Sequence, residues 1–420
     1  MKATAVRLHG ANDLRLDTFE LPPIKDDEIL VKVVSDTICM STYKCAILGT
    51  KHKRVHPDVT EHPAIIGHEF AGDIVQVGAK WKDQFEPGMK FTSQPALNYK
   101  GTMFSPGYSY EYCGGDATYC ILPHEVMELG CLLRYDGDGY FEASLAEPMS
   151  CCIGAFHACF HTKMGSYVHS MGVKRGGKMA LVAAAGPMGL GALTYAVHID
   201  NRPSLIVLTD INKERLARAR KLFPREEQQK LGVRIEIVDT SAMGDVAKEI
   251  RAAYAPDGFD DVFCFAPIAS VIETAGDLLG RDGCLNFFAG PTDKNLHAPL
   301  NFYDVHYNAT HVIGTTGGNT EDMKESLRMT EQGILDPAVM VTHVGGLNCA
   351  AEVTLHQPQL PGGKKLIYTH IDMPLTALEE FRGLGAKDAR CAAIADIIDA
   401  HNGLWSAEAE RYLLSHWKQG

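Results

Sequence analysis

The spacing of apolar residues along this 420-residue chain changes character near its middle. From Lys2 to Pro123 the apolar residues fall in short runs, Ile29–Val34, Ala64–Ile66, Ile74–Val77 and Tyr119–Leu122 among them, separated by Pro, Gly and Asp turns. That pattern predicts a mainly β region over the first 150 residues or so. From Gly177 onward, buried-strand runs at Lys178–Ala183, Leu205–Asp210, Arg234–Asp239, Asp261–Phe265 and Cys284–Ala289 alternate with amphipathic stretches such as Asn212–Leu222 and Val246–Tyr254. Strands alternating with helices predict a parallel sheet covered on both faces. Beyond it, residues 319–331 read as a helix, Pro337–Val344 as a strand, and Lys364–Tyr368 as a strand rejoining the first region. The final stretch reads as two helices, Ala386–Ala400 and one capped by Ser406 that runs to Trp417, split by the breaker Asn402-Gly403. It carries no catalytic pattern and is expected to be a packing or subunit-contact appendage.

Candidate chemistry sits at the ends of these runs. Gly67-His68-Glu69-Phe70-Ala71-Gly72 places an imidazole and a carboxylate side by side where one strand turns into the next. By itself such a pair is either a metal site or a solvated polar corner. Cys39-Met40-Ser41 follows the run Glu28–Val34 and sets a thiol two residues before a hydroxyl; alone it reads first as a buried core cysteine. Glu147 lies near the start of a helix expected from about Ala143, where the helix dipole favours a carboxylate.

The turn Ala184-Ala185-Gly186-Pro187-Met188-Gly189 separates a strand from a helix and reads A-x-G-x-x-G. Glycines there let the backbone approach a pyrophosphate seated on the helix N-terminus. Asp210, which ends the next strand, is expected to bond the ribose hydroxyls and repel a 2′-phosphate, favouring NAD(H) over NADP(H). The cofactor-binding candidates are Gly186, Pro187, Met188, Gly189, Asp210 and Arg215.

Composition narrows the class. A formal net charge of −12 argues against nucleic acid or an anionic membrane surface as the main partner. No apolar run approaches the roughly 20 residues of a spanning helix, and the N-terminus reads as a strand, so a cytoplasmic protein is expected. The 12 cysteines show no regular spacing and are expected to be mostly reduced core thiols.

Four motifs, Cys39-x-Ser41, the G-H-E-x2-G-x5-G stretch at 67–78, Glu147-Pro148 and the turn at 184–189, together resemble the zinc-dependent medium-chain dehydrogenase/reductase family across residues 1–372. Glu147-Pro148 is similar to the sorbitol (polyol) dehydrogenase branch. The wording Asn98-Tyr99-Lys100-Gly101 and Tyr108-Ser109-Tyr110-Glu111, with the C-terminal tail, most resembles the L-sorbose-1-phosphate reductases. The resemblance implies an α/β protein: a GroES-like β-rich catalytic domain (1–154 and 316–372), a Rossmann doubly wound parallel-sheet domain (155–315) and a helical C-terminal extension (373–420).

It further implies one catalytic zinc on Cys39 and His68, with either Glu147 or Glu69 as the third ligand, Glu147 favoured, directly or through water, and Glu69 as its exchanging neighbour, and Ser41 accepting the substrate's hydroxyl proton. Lys44 stands where many relatives carry a proton-relaying histidine; relay, phosphate binding and a solvated role stay open. The family's structural zinc is expected to be absent, because residues 92–116 contain only Cys113 and one thiolate cannot close a tetrahedral site. The expected reaction is hydride transfer between NAD(H) and a polyol or ketose, such as L-sorbose 1-phosphate to D-glucitol 6-phosphate, in a homodimer or homotetramer. Threonine or 2,3-butanediol dehydrogenase and a catalytically silent NAD-binding scaffold are the alternatives.

Overall fold

The strand Ile29–Thr37 is buried along almost its whole length, and three other strands depend on it. In the computed structural model, which describes residues 1–418, it pairs antiparallel with Phe70–Val77, Tyr119–Leu122 and Lys364–Tyr368. These belong to an eight-stranded sheet that continues through Lys90–Ser93 to Leu132–Arg134 on one side and through Val341–Gly346 to Thr376–Ala377 on the other. Val31, Val33, Phe70, Phe91 and Leu122 pack its core. The chain divides into two compact units, one formed by Met1–Glu147 with the segment from Asn319 onward, the other by Pro148–Gly318.

The second unit is a six-stranded parallel sheet in the order Arg234–Asp239, Leu205–Asp210, Lys178–Val182, Phe259–Cys264, Leu279–Phe287, His311–Gly314. Numbered by position in the chain this is the 3-2-1-4-5-6 order of a dinucleotide-binding fold, with its switch point beside Lys178–Val182. The left-handed residue of the following turn is Ala183, at φ +56°, so alanine at position 184 needs no positive φ. A Cβ on Gly189 would lie 2.0 Å from the Ala184 carbonyl oxygen, so only glycine lets the helix Pro187–Ala196 sit this close to the turn.

Two elements differ from expectation. Pro337–Met340 is a 3-10 turn, and the strand begins at Val341. Asp336 accepts a hydrogen bond from the Ala338 amide at 2.9 Å, and Pro337 starts the turn with no amide to lose. The helix expected from Ala143 is two helices, Tyr140–Ser144 and Ala146–Ala158.

The C-terminal extension joins the first unit through Thr376–Ala377, which pairs with Val341–Gly346. Ser406 caps the helix Ala407–His416 by accepting from the Ala409 amide. On that helix the buried Glu410 accepts from the Tyr140 and Phe141 amides at 2.6 and 2.9 Å and from the Tyr368 hydroxyl at 3.0 Å. Trp405 Nε1 donates to Tyr368 Oη at 2.7 Å. Among the described residues no helix is long and apolar enough to cross a membrane.

Candidate active site

Strand register collects the site. Asp36 lies opposite Phe70 and Thr37 opposite Leu366. The end of the central strand therefore meets the residues just before one neighbour, His68 and Glu69, and the first residue of another, Lys364. Cys39 follows immediately, at the N-terminus of the helix Met40–Leu48, which also carries Ser41, Thr42 and Lys44. Gly67, at φ +89°, makes the turn possible: a Cβ there would lie 1.8 Å from Asp36 Oδ2.

Ligand atoms of Cys39, His68 and Glu69 lie within 4.8 Å of one another, the one such trio of His, Cys, Asp or Glu among the described residues. Thr42 Oγ1 is 3.1 Å from His68 Nδ1, which fixes the ring with Nε2 facing the site. Around Nε2 stand Tyr108 Oη at 3.2 Å and Ser41 Oγ at 3.3 Å, and Ser41 Oγ is 2.9 Å from Cys39 Sγ.

Glu69 is 1% exposed and Lys364 4%. Lys364 Nζ donates to both Glu69 oxygens, and Thr37 Oγ1 donates to Glu69 Oε2. Burial works to raise the Glu69 carboxyl, but the charges of Lys364 and His68 hold it below the ordinary carboxylate range. Glu147, next along, is pushed up to about 7 by burial, opposed by the charge of His68. Burial also raises the Cys39 thiol, with the Glu69 charge adding to it, and lowers His68.

The structure thus brings Cys39, Ser41 and His68 into contact and sets a Glu69 oxygen within 4.8 Å of the Cys39 and His68 ligand atoms, a trio that does not include Glu147, whose charge acts on His68. Lys44 is half-buried on the same helix as Ser41; burial lowers its pKa and the charge of Cys39 opposes the shift.

Two residues of the site escaped sequence reasoning. Lys364 sits in the run Lys364–Tyr368, where every residue is buried; a lysine pair opening a core strand was the available signal. Tyr108 lies in the Tyr/Gly-rich stretch 92–112, where the sequence predicts a surface loop or lobe, but its ring is 4% exposed.

In the second unit, Gly186 caps the helix that starts at Pro187, and Arg215 approaches it, its Nη1 3.5 Å from where a Gly186 Cβ would lie. Asp210 accepts from the amides of Ala185, Ile211 and Asn212 at 2.8–2.9 Å, so its carboxylate also holds the turn together.

Residues 25–135 match the alcohol dehydrogenase GroES-like domain and residues 187–332 the zinc-binding dehydrogenase family. The chain is 50% identical over 416 residues to a mannitol-1-phosphate 5-dehydrogenase of Aliivibrio fischeri, covering 99% of this chain and 98% of that one. It is 47% identical over 414 residues to an L-sorbose 1-phosphate reductase of Klebsiella pneumoniae, covering 98% and 97%. The chain belongs to the zinc-binding dehydrogenase family. A solved zinc-binding dehydrogenase of Sinorhizobium meliloti bound to NADP has the same fold, with a TM-score of 0.72 at 19% identity over 88% of this chain and 99% of that one.

As a zinc-binding dehydrogenase the protein is a nicotinamide-dependent oxidoreductase of the alcohol–polyol type, built on a GroES-like domain and a Rossmann sheet, and its substrate is a small molecule. The donor set suits zinc: a thiol, an imidazole whose outer nitrogen is already held by Thr42, and a buried carboxylate, Glu147, whose charge bears on that imidazole.

Proposed function

We propose that this dehydrogenase transfers hydride between NAD(H) and a polyol or ketose, with a phosphorylated ketose such as L-sorbose 1-phosphate as the preferred substrate. The observation that carries the reading is the meeting of Cys39, His68 and Glu69 at one strand end, in a chain whose relatives are named for sugar-phosphate chemistry. Cys39, His68 and Glu147 would hold one zinc. Glu69 is left as the neighbour because both its oxygens are engaged by Lys364. A second, structural zinc is not expected, since Cys113 is the lone thiol of residues 92–116 and lies in the apolar core.

Bound zinc supplies Lewis-acid polarisation of the substrate oxygen, and bound nicotinamide supplies or accepts the hydride. The chain's own groups do the remaining work. Ser41 Oγ takes the substrate's hydroxyl proton in oxidation and returns it in reduction. Thr42 keeps His68 in the tautomer that presents Nε2. Lys364 keeps Glu69 ionised, which holds negative charge beside the cationic centre. Lys44, three residues on from Ser41 in the same helix, is assigned the onward relay of that proton. Gly186, Pro187, Met188 and Gly189 offer helix-N-terminal amides to the pyrophosphate with Arg215 beside them, and Asp210 favours NAD(H). A cytoplasmic homodimer or homotetramer completes the reading.

Replacing Cys39 with Ser should abolish zinc content and polyol-linked NADH turnover together; full turnover in a zinc-free Cys39→Ser protein would sink the mechanism. For the cofactor, Asp210→Ala should raise the KM for NADH more than that for NADPH, and an unchanged ratio would mean that another residue selects the nucleotide.

A further inference from the structure

Within a chain of net charge −12, the stretch between Asp36 and Asp58 contains no acidic residue and carries Lys44, Lys51, Lys53 and Arg54 with two histidines. Part of this charge gathers against the candidate site. The His52 ring stacks on Tyr108 at a centroid distance of 5.7 Å and an interplanar angle of 7°. The Arg54 guanidinium carbon stands 5.4 Å from the centroid of the same ring. Tyr108 in turn meets His68, with ring centroids 4.8 Å apart. One aromatic ring therefore separates the candidate zinc ligand from a guanidinium, a spacing that a phosphorylated five- or six-carbon chain can bridge.

The arrangement is built rather than incidental. The Arg54 amide donates to His52 Nδ1 at 3.3 Å, which leaves the His52 proton on Nε2 as a free donor. The Arg54 carbonyl accepts from Ser109 Oγ at 2.6 Å, and Ser109 Oγ also accepts from the Ser105 amide at 2.9 Å, so the segment 52–54 is stitched to the stretch that carries Tyr108. Among the described residues no carboxylate pairs with Arg54. Burial together with the charges of Arg54, Lys53 and Lys44 depresses His52 to about 4, so it acts there as a neutral donor amid cations. The acidic groups that face this region, Glu147 and Glu69, lie on the His68 side.

We propose that Arg54, with the His52 Nε2 proton beside it, forms a subsite for the phosphomonoester of an acyclic sugar-phosphate substrate whose reacting carbon lies at His68. A guanidinium with free donors matches the geometry of phosphate oxygens, and a local cluster of cations in an acidic protein offsets the general repulsion of an anionic substrate. The proposal rests on the polyol–ketose reading above and adds to it the residues that would select the phosphorylated form.

The test uses the zinc-loaded full-length enzyme and its Arg54→Ala, Arg54→Lys and His52→Phe variants, the last keeping the stack on Tyr108 while removing the donor. Two measurements are made: the ratio of kcat/KM for glucitol 6-phosphate over glucitol, and calorimetric binding of inorganic phosphate. Arg54→Ala should lower the ratio about 10- to 100-fold and weaken phosphate binding, Arg54→Lys should recover part, and His52→Phe should lower the ratio by less. Polyol turnover with a ratio and phosphate binding indifferent to Arg54 and His52 would overturn the subsite and leave the reading it rests on intact. Arg54-dependent phosphate binding in an enzyme that turns over no polyol would support the subsite and sink that reading.

Discussion

Glu69 and Glu410 are the same residue type, equally buried at 1% and 2% exposure in the same unit, and they titrate in opposite directions. Glu69 lies against the Lys364 ammonium and is held below the ordinary carboxylate range despite its burial. Glu410 receives two backbone amides and the Tyr368 hydroxyl but no cation, and burial carries it up to about 7. Three neutral donors thus leave the Glu410 carboxyl raised, whereas the Lys364 ammonium, with the His68 charge and the Thr37 hydroxyl, outweighs burial at Glu69. The two sites also differ in purpose. Glu410 fastens the C-terminal extension to the start of the helix Tyr140–Ser144, where a partly protonated carboxyl serves well enough. Glu69 stands among candidate metal ligands, where an ionised carboxylate is what the site can use.

The comparison breaks most sharply at Lys364. Lys364→Met leaves the Glu69 charge buried and unpaired, and should cost about 3–5 kcal/mol of unfolding free energy by denaturant titration. Adding Glu69→Leu should return much of that loss, because the unpaired charge goes with it; a double variant no more stable than the single one would show that the ion pair is not what holds this region. The next effect is read in pH. Glu410 titrates near 4.5 when unfolded and at about 7 when folded, so the folded chain binds the extra proton between those values. Its contribution is therefore full below pH 4.5 and is lost as pH rises through 7, on the order of 3 kcal/mol in all. Glu69, with its pKa lowered, contributes above its unfolded value and loses that contribution as pH falls through its folded one. In Glu410→Gln the falling slope of stability between pH 5 and 7 should disappear, as measured by denaturant midpoints across that range. The smallest effect is expected at Thr42. Thr42→Val removes the partner of His68 Nδ1 and should weaken zinc binding about 10- to 100-fold in a chelator competition, with little change in the denaturant midpoint.

Much of the fold was legible because it is written locally. The six-residue apolar runs between amphipathic stretches mark the parallel sheet, Asn212 and Ser406 cap the helices they precede, and Gly67 and Gly189 stand where the backbone allows no side chain. Cys39, Ser41 and His68 were visible as short motifs whose spacing is set within one turn or one helix. Lys364 was not, since a lysine at a strand end gives no sign of the carboxylate it meets 295 residues away. Nor was the second duty of Asp210, whose three amide bonds depend on how the turn at Ala185 folds back over the strand.

Gly67 to Gly78 shows where the division falls. The sequence by itself determined that a histidine and a glutamate sit at a glycine turn between two strands, because backbone conformation and alternation are properties of neighbours. Only the tertiary structure decided which partner each receives: Thr42 and Tyr108 for His68, Lys364 and Thr37 for Glu69. Those partners arrive through the register of the strand Ile29–Thr37 with strands from far along the chain, and burial then turns each pairing into a protonation state.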